Sequence, residues 1–143
     1  MYDLEIAKSQ LRAKNYSLVI AKNGKVIFET KQSGIGGFLS AIDQLGGIDL
    51  RDSAIADKVV GRAAALLCVY CSVKAVYAIV VSSGGREVLK EHSVSLEFES
   101  LVPNILNRQQ TDTCQFEKVV ATISDADEAY ERLKFCIKET RKR

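Results

Sequence analysis

The sequence predicts an α/β sandwich built on a mixed sheet, and three observations lead to this prediction. Two short β-branched runs flank Asn23-Gly24, the strongest short-range signal for a hairpin and hence for antiparallel strands. The segment YAIVVSS, residues 77–83, is almost continuously apolar, as strands are when both faces of a sheet are covered. Helical and strand patterns alternate after the hairpin, which is typical of α/β proteins.

The first part of the chain predicts a helix, a hairpin and a second helix. Residues 2–14 place their apolar side chains roughly on one side of a helix. The hairpin strands are predicted at 17–22 and 25–30, and a glycine-containing loop follows at 31–37. A short helix at 38–46 is expected to end at Gly46-Gly47, because glycine readily ends helices.

The rest of the chain predicts a long central helix followed by alternating elements. Asp52 or Ser53 is the expected cap of this helix, which covers about 54–71. Then follow a strand at 77–83, a helix at 86–92, a half-buried strand at 95–100 and helices at 114–123 and 125–139, the last capped by Ser124 or Asp125.

Composition excludes several classes of function. The 143 residues predict a single domain over 1–143, and a net charge of +2 is too small for a nucleic-acid-binding protein. No segment has the roughly 18–20 apolar residues of a membrane span, and the N-terminus lacks the apolar core of a signal peptide, so a cytoplasmic protein is expected. The single histidine and the isolated Cys68–Cys71 pair predict neither a metal site nor a cofactor.

The start of the predicted central helix is the first candidate site. Asp57, Lys58, Gly61 and Arg62 precede a run that is apolar on every side. Lys58 and Arg62 are four residues apart and would share one helix face. Gly61 would leave room for a ligand or a neighbouring backbone, and Asp57 would hold the cations or bind a ligand hydroxyl. The alternative is a helix whose first turn simply reaches solvent.

Two loops add further candidate residues. The loop with Ser33 and Gly34 allows close approach of backbone to a ligand, or is a flexible connection. Asn107, Arg108 and Thr111 precede a predicted helix, whose N-terminus favours anions. The alternative for this second loop is a segment rich in capping residues.

Four segments form a recognisable set: ADKVVGRAAALL (56–67), VYAIVVS (76–82), LVPNILNR (101–108) and T-x-x-C-x-x-E (111–117). As a set they resemble a prokaryotic domain family of unknown function with a cytidine-deaminase-like fold, from the hairpin to about Tyr130. The resemblance implies a three-layer α/β/α sandwich with a sheet of about five strands.

The resemblance also bears on zinc chemistry. It places Val60-Gly61-Arg62 where zinc deaminases have a metal ligand, a spacer and a catalytic glutamate. Ser82-Ser83-Gly84-Gly85 stands where P-C-x-x-C begins. Deamination needs a zinc-bound hydroxide and a carboxylate that moves protons, so the sequence predicts that this chain is not a zinc deaminase.

Three functions remain open. The first is binding of an anionic small molecule, such as a nucleotide or another phosphorylated compound, by the residues named above. The second is a metal-independent enzyme, with Cys114 as nucleophile and Glu117 assisting proton transfer. The third is a structural role, in which the strand SLEFES (95–100) or the terminal helix pairs with another copy of the chain.

Overall fold

The structure, a computed structural model, describes residues 2–141. Its strands are β1 (Leu18–Lys22), β2 (Lys25–Thr30), β3 (Ala54–Val60), β4 (Ala75–Ser82) and β5 (Ser95–Val102). Its helices are α1 (Tyr2–Lys14), α2 (Ile35–Leu50), α3 (Arg62–Tyr70), α4 (Ser83–Glu91), α5 (Gln115–Val120) and α6 (Ala126–Arg141).

The five strands form one mixed sheet in the order β2-β1-β3-β4-β5. Strand β1 runs antiparallel to both β2 and β3, whereas β3, β4 and β5 are parallel. Asn23 and Gly24 both have positive φ, 53° and 79°, as a two-residue hairpin turn requires. The predicted α/β class, the hairpin and the number of strands are confirmed.

Helices cover both faces of the sheet, consistent with a three-layer sandwich. Helix α1 packs its Leu4, Ala7 and Leu11 against side chains on one face of β1, β3 and β4. The other helices build the larger apolar cluster on the opposite face. The split follows from strand geometry, because successive side chains of a strand point to opposite faces.

The start of α1 is held to the hairpin by a buried carboxylate. Asp3 accepts hydrogen bonds from the backbone N–H groups of Asn23 (3.2 Å) and Gly24 (2.8 Å) and from the Lys74 ammonium (3.0 Å). The bond from Gly24 is the main cause that lowers the pKa of Asp3, opposed by burial. The carboxylate therefore links the start of α1 to the hairpin turn and to the residue that precedes β4.

The predicted helix at 54–71 is wrong in its first half. Residues 54–60 form the central strand β3, and only the second half is helical, as α3. A strand enclosed on both faces is apolar at most positions, and such a short run cannot be distinguished by its pattern from a buried helix. Neither predicted cap lies at a helix start: Asp52 has a φ of 61°, and Ser53 is buried with no partner for its hydroxyl among the described residues.

The other element boundaries shift by smaller amounts. Helix α2 runs to Leu50 but contains a break at Gly46 (φ 77°), the position where the sequence predicted its end. Helix α4 begins three residues earlier than predicted, because the Ser82 hydroxyl accepts a hydrogen bond (3.0 Å) from the N–H of Gly85.

Candidate functional site

The parallel strands bring several predicted residues to one edge of the sheet. Gly61 follows β3, Ser82 ends β4, and the loop at 103–114 follows β5. Parallel strands end at the same edge, so these segments meet there. Ile105 and Glu117 lie directly over Gly61.

Arg62 and Glu117 form a reciprocal contact between α3 and α5, which we call the Arg62–Glu117 clasp. The Glu117 carboxylate accepts hydrogen bonds from the backbone N–H groups of Arg62 (2.8 Å) and Ala63 (2.7 Å). In the other direction, the Arg62 guanidinium donates to the carbonyl oxygens of Val120 (2.9 Å) and Ile123. Glu117 thus satisfies two N–H groups that the start of α3 leaves unpaired, and Arg62 secures the end of α5 and the segment that follows it.

Gly61 is required by this clasp. A methyl group on Gly61 would lie 2.3 Å from Glu117 Oε1 and 2.8 Å from Ile105 Cγ1. A methyl group on Gly85, in the first turn of α4, would lie 2.9 Å from the carbonyl oxygens of Val60 and Gly61. The open space that the sequence predicted beside Gly61 is therefore filled by the chain's own carboxylate.

The clasp changes the interpretation of two predicted roles. The positive end of the α3 dipole already holds an anion, and the Arg62 guanidinium is already bound to carbonyl oxygens. Glu117 directs its carboxylate to α3, and Cys114 lies before a helix of only six residues without capping it by its side chain. The geometry thus gives no support to Cys114 as a nucleophile, and this role stays a prediction.

The two predicted loops meet at one weak contact. The Arg108 guanidinium donates to the Ser33 hydroxyl at 3.4 Å, and Gly34 precedes α2 with a φ of 76°. Asn107 and Thr111 instead bond to each other, with the Thr111 N–H donating to the Asn107 side chain at 3.0 Å. Ser33 and Arg108 are brought together, whereas Asn107 and Thr111 stabilise their own loop.

The prediction that Lys58 shares a helix face with Arg62 is wrong, because Lys58 belongs to strand β3. Its ammonium donates to the Asn15 side chain at 2.7 Å, on the face of the sheet that α1 covers. Asp57 faces the other way, towards the Cys68 thiol in α3. Burial is the main cause that raises the pKa of this thiol, and the nearby Cys71 and Asp57 raise it further. Burial raises the pKa of Asp57 to about 7.

Lys58 lines a groove between the end of α1 and strands β3 to β5. The groove has a volume of about 360 Å³. Its lining residues are Leu11, Arg12, Asn15, Lys58, Tyr77, Ile79 and Glu99. It combines an apolar floor with a few polar groups, which is the usual composition of a small-molecule site.

Three polar side chains of the groove, Arg12, Tyr77 and Glu99, form a hydrogen-bonded network, and the Lys58 ammonium lies apart from it. The Tyr77 hydroxyl donates to Glu99 Oε2 at 2.9 Å, and the Arg12 guanidinium contacts both the hydroxyl (3.0 Å) and Glu99 Oε2 (3.3 Å). Burial and the bond to Glu99 raise the pKa of Tyr77, so it stays a donor at neutral pH. Among residues 2–141, the Lys58 ammonium pairs with no carboxylate.

Sequence reasoning found Lys58 but missed its neighbours. Arg12 and Asn15 come from the end of α1, and Tyr77 and Glu99 from β4 and β5. The alternation in SLEFES places Glu97 and Glu99 on one face of β5, which was the available signal. This alternation indicates a shared site with Tyr77 only when β5 is known to lie beside β4.

Two further observations concern the described part of the chain. Within it, no three His, Cys, Asp or Glu side chains are grouped so that they could hold a metal ion. None of its helices is both long and apolar enough to span a membrane. A cytoplasmic location stays a prediction.

Comparison with known proteins identifies relatives without assigning an activity. A family model described as TM1506, domain of unknown function (DUF1893), matches residues 6–136. The crystal structure of a DUF1893 family protein (TM1506) from Thermotoga maritima is similar, with a TM-score of 0.81 and 26% sequence identity over 92% of this chain and 87% of that chain. A search of curated proteins found no match.

Proposed function

This chain belongs to the DUF1893 family of domains of unknown function, and we propose that it binds a phosphorylated small molecule, such as a nucleotide, in the groove beside Lys58. The proposal keeps the ligand class that the sequence predicts. It moves the site from the start of α3 to the opposite face of the sheet, and Arg12 takes the role predicted for Arg62.

The observation that carries the proposal is the uncompensated charge of Lys58 inside the groove. Its ammonium bonds only to an uncharged amide oxygen, whereas Arg12 is already paired with Glu99. Among the described residues that line the groove, two cations and one carboxylate give a net charge of +1. A phosphate oxygen would supply the missing counter-charge to Lys58, and hydrogen bonds to charged groups contribute about 1.5–3 kcal/mol each.

A second feature supports small-molecule binding at this place. Leu11 and Ile79 provide apolar surface beside the cations. Such surface lowers the local dielectric constant and so strengthens the attraction between a cation and a bound anion. A lysine on an open surface would lack this gain.

Thermal-shift measurements across phosphorylated small molecules test the proposal. We expect at least one nucleotide or sugar phosphate at low millimolar concentration to raise the melting temperature, because ligands that bind only the folded state stabilise it. Lys58→Ala should abolish the shift. Lys25→Ala, which removes an exposed lysine of β2, should leave it unchanged. An absence of any shift with folded protein would refute the proposal.

Self-association is a second candidate function, favoured by the position of β5. Within the part of the chain that the structure describes, this strand pairs with β4 alone and lies at the edge of the sheet. An edge strand of eight residues offers unpaired backbone groups to another copy of the chain. Light scattering over a range of protein concentrations tests this function, and Lys58→Ala should leave any assembly intact.

A further inference from the structure

Glu99 lines the groove and has one carboxylate oxygen that is not used in hydrogen bonding within residues 2–141. Both of its contacts, from the Tyr77 hydroxyl and from the Arg12 guanidinium, go to Oε2. Within residues 2–141, Oε1 accepts no hydrogen bond. The carboxylate thus presents one free oxygen, and its side chain is 45% exposed.

Tyr77 holds this carboxylate in place. The tyrosine lies in β4, and its side chain is buried beneath the groove that it lines. The Lys8 ammonium lies 5.0 Å from the centre of its ring and covers it from the α1 side. The phenol bonded to Glu99 Oε2 restrains this carboxylate, which lines the groove and leaves Glu99 Oε1 available to a ligand.

The strand register sets the spacing between Glu99 and Lys58. Lys58 lies level with Ile79, because Asp57 pairs with Ala78 and Val59 with Val80. By the same reasoning Ile79 lies level with Glu99, since Ala78 pairs with Phe98 and Val80 with Ser100. Two strand spacings separate Lys58 from Glu99, which places their backbones about 10 Å apart.

From these observations, and resting on the proposed function, we infer that the ligand is a sugar phosphate. Its phosphate binds Lys58 and Arg12, and a sugar hydroxyl donates to Glu99 Oε1. The Arg12 guanidinium lies 3.3 Å from Glu99 Oε2, so a phosphate bound to Arg12 and a hydroxyl bound to Glu99 would be neighbours, as they are in a pentose phosphate. The volume of about 360 Å³ lies at the small end of the range of about 300–1,000 Å³ for ligand sites, which suits one sugar ring.

Isothermal titration with two phosphate esters tests the inference. Ribose 5-phosphate carries the hydroxyl donors, whereas methyl phosphate carries none. We expect the wild-type chain to bind ribose 5-phosphate about tenfold more tightly, the effect of one hydrogen bond to a charged group. Glu99→Ala should reduce this preference to near one. Tyr77→Phe keeps Glu99 but removes its anchor, and should reduce the preference in part.

The control is Glu97→Ala, which removes a carboxylate from the same strand that pairs with Lys8 outside the groove. This variant should keep the wild-type preference. If both esters bind equally and Lys58→Ala abolishes both, the inference is wrong while the proposed function holds. If neither ester binds the wild-type chain, while a phosphorylated compound without a sugar hydroxyl does, the inference also fails. If no phosphorylated compound binds, the proposed function fails as well.

Discussion

Replacing Glu117 by alanine removes the carboxylate of the Arg62–Glu117 clasp and leaves two N–H groups of α3 without a protein acceptor. Hydrogen bonds to charged groups contribute about 1.5–3 kcal/mol each, and loss of a helix cap costs about 0.5–2 kcal/mol. Glu117 is only half-buried, so water can reach part of the vacated space. We therefore expect a loss of about 2–4 kcal/mol from the free energy of unfolding.

Urea unfolding followed by circular dichroism measures this loss. For a domain of this size, 1 kcal/mol corresponds to about 2–4 °C in melting temperature, so Tm should fall by roughly 5–15 °C. The matched control is Glu87→Ala, which removes an exposed glutamate from the middle of α4. The control should change stability by less than about 0.5 kcal/mol. If Glu117→Ala is equally mild, the clasp does not stabilise the fold and the reasoning is refuted.

Three further substitutions test the structure elsewhere. Asp57→Asn should stabilise the protein at pH 8 and change little below pH 4. Burial raises the carboxyl pKa from 3.8 to about 7, so the free energy of unfolding of the wild-type protein falls by up to about 4 kcal/mol as pH rises through this interval. If the stabilities of variant and wild type depend on pH in the same way, the reasoning is wrong. Gly85→Ala should lower the free energy of unfolding, measured in urea, by about 1–3 kcal/mol, because its methyl group would lie 2.9 Å from backbone atoms of Gly61. An unchanged free energy would show that the backbone at the ends of β3 and β4 can move to accommodate the methyl group. Asp3→Ala should lower the free energy of unfolding at pH 7 by about 2–4 kcal/mol, because two backbone N–H groups and the Lys74 ammonium lose their acceptor. An unchanged melting curve would contradict this expectation.

The fold could be predicted wherever the sequence carries a local signal. Asn23-Gly24 encodes its hairpin in the backbone preferences of two residues, and the apolar residues of α1 fall roughly on one side of the helix. Strand β3 could not be recognised, because it is buried on both faces and continues almost directly into α3. Only its pairing with β1 and β4 distinguishes it from a helix.

The candidate site depended on this one misassigned element. As a helix, residues 54–71 place Lys58 and Arg62 on one face; as a strand followed by a helix, they send Lys58 to the α1 side and Arg62 to α5. The partner of Gly61 lies more than fifty residues away, in Glu117. Contacts at such separations depend on how the chain folds in three dimensions, and a single sequence does not show them.

A crystal structure of the protein soaked with a phosphorylated ligand tests the central claim most directly. The account predicts phosphate density within hydrogen-bonding distance of Lys58 Nζ and the Arg12 guanidinium, with the Arg62–Glu117 clasp intact. Phosphate at the start of α3, with the Glu117 carboxylate displaced, would contradict it.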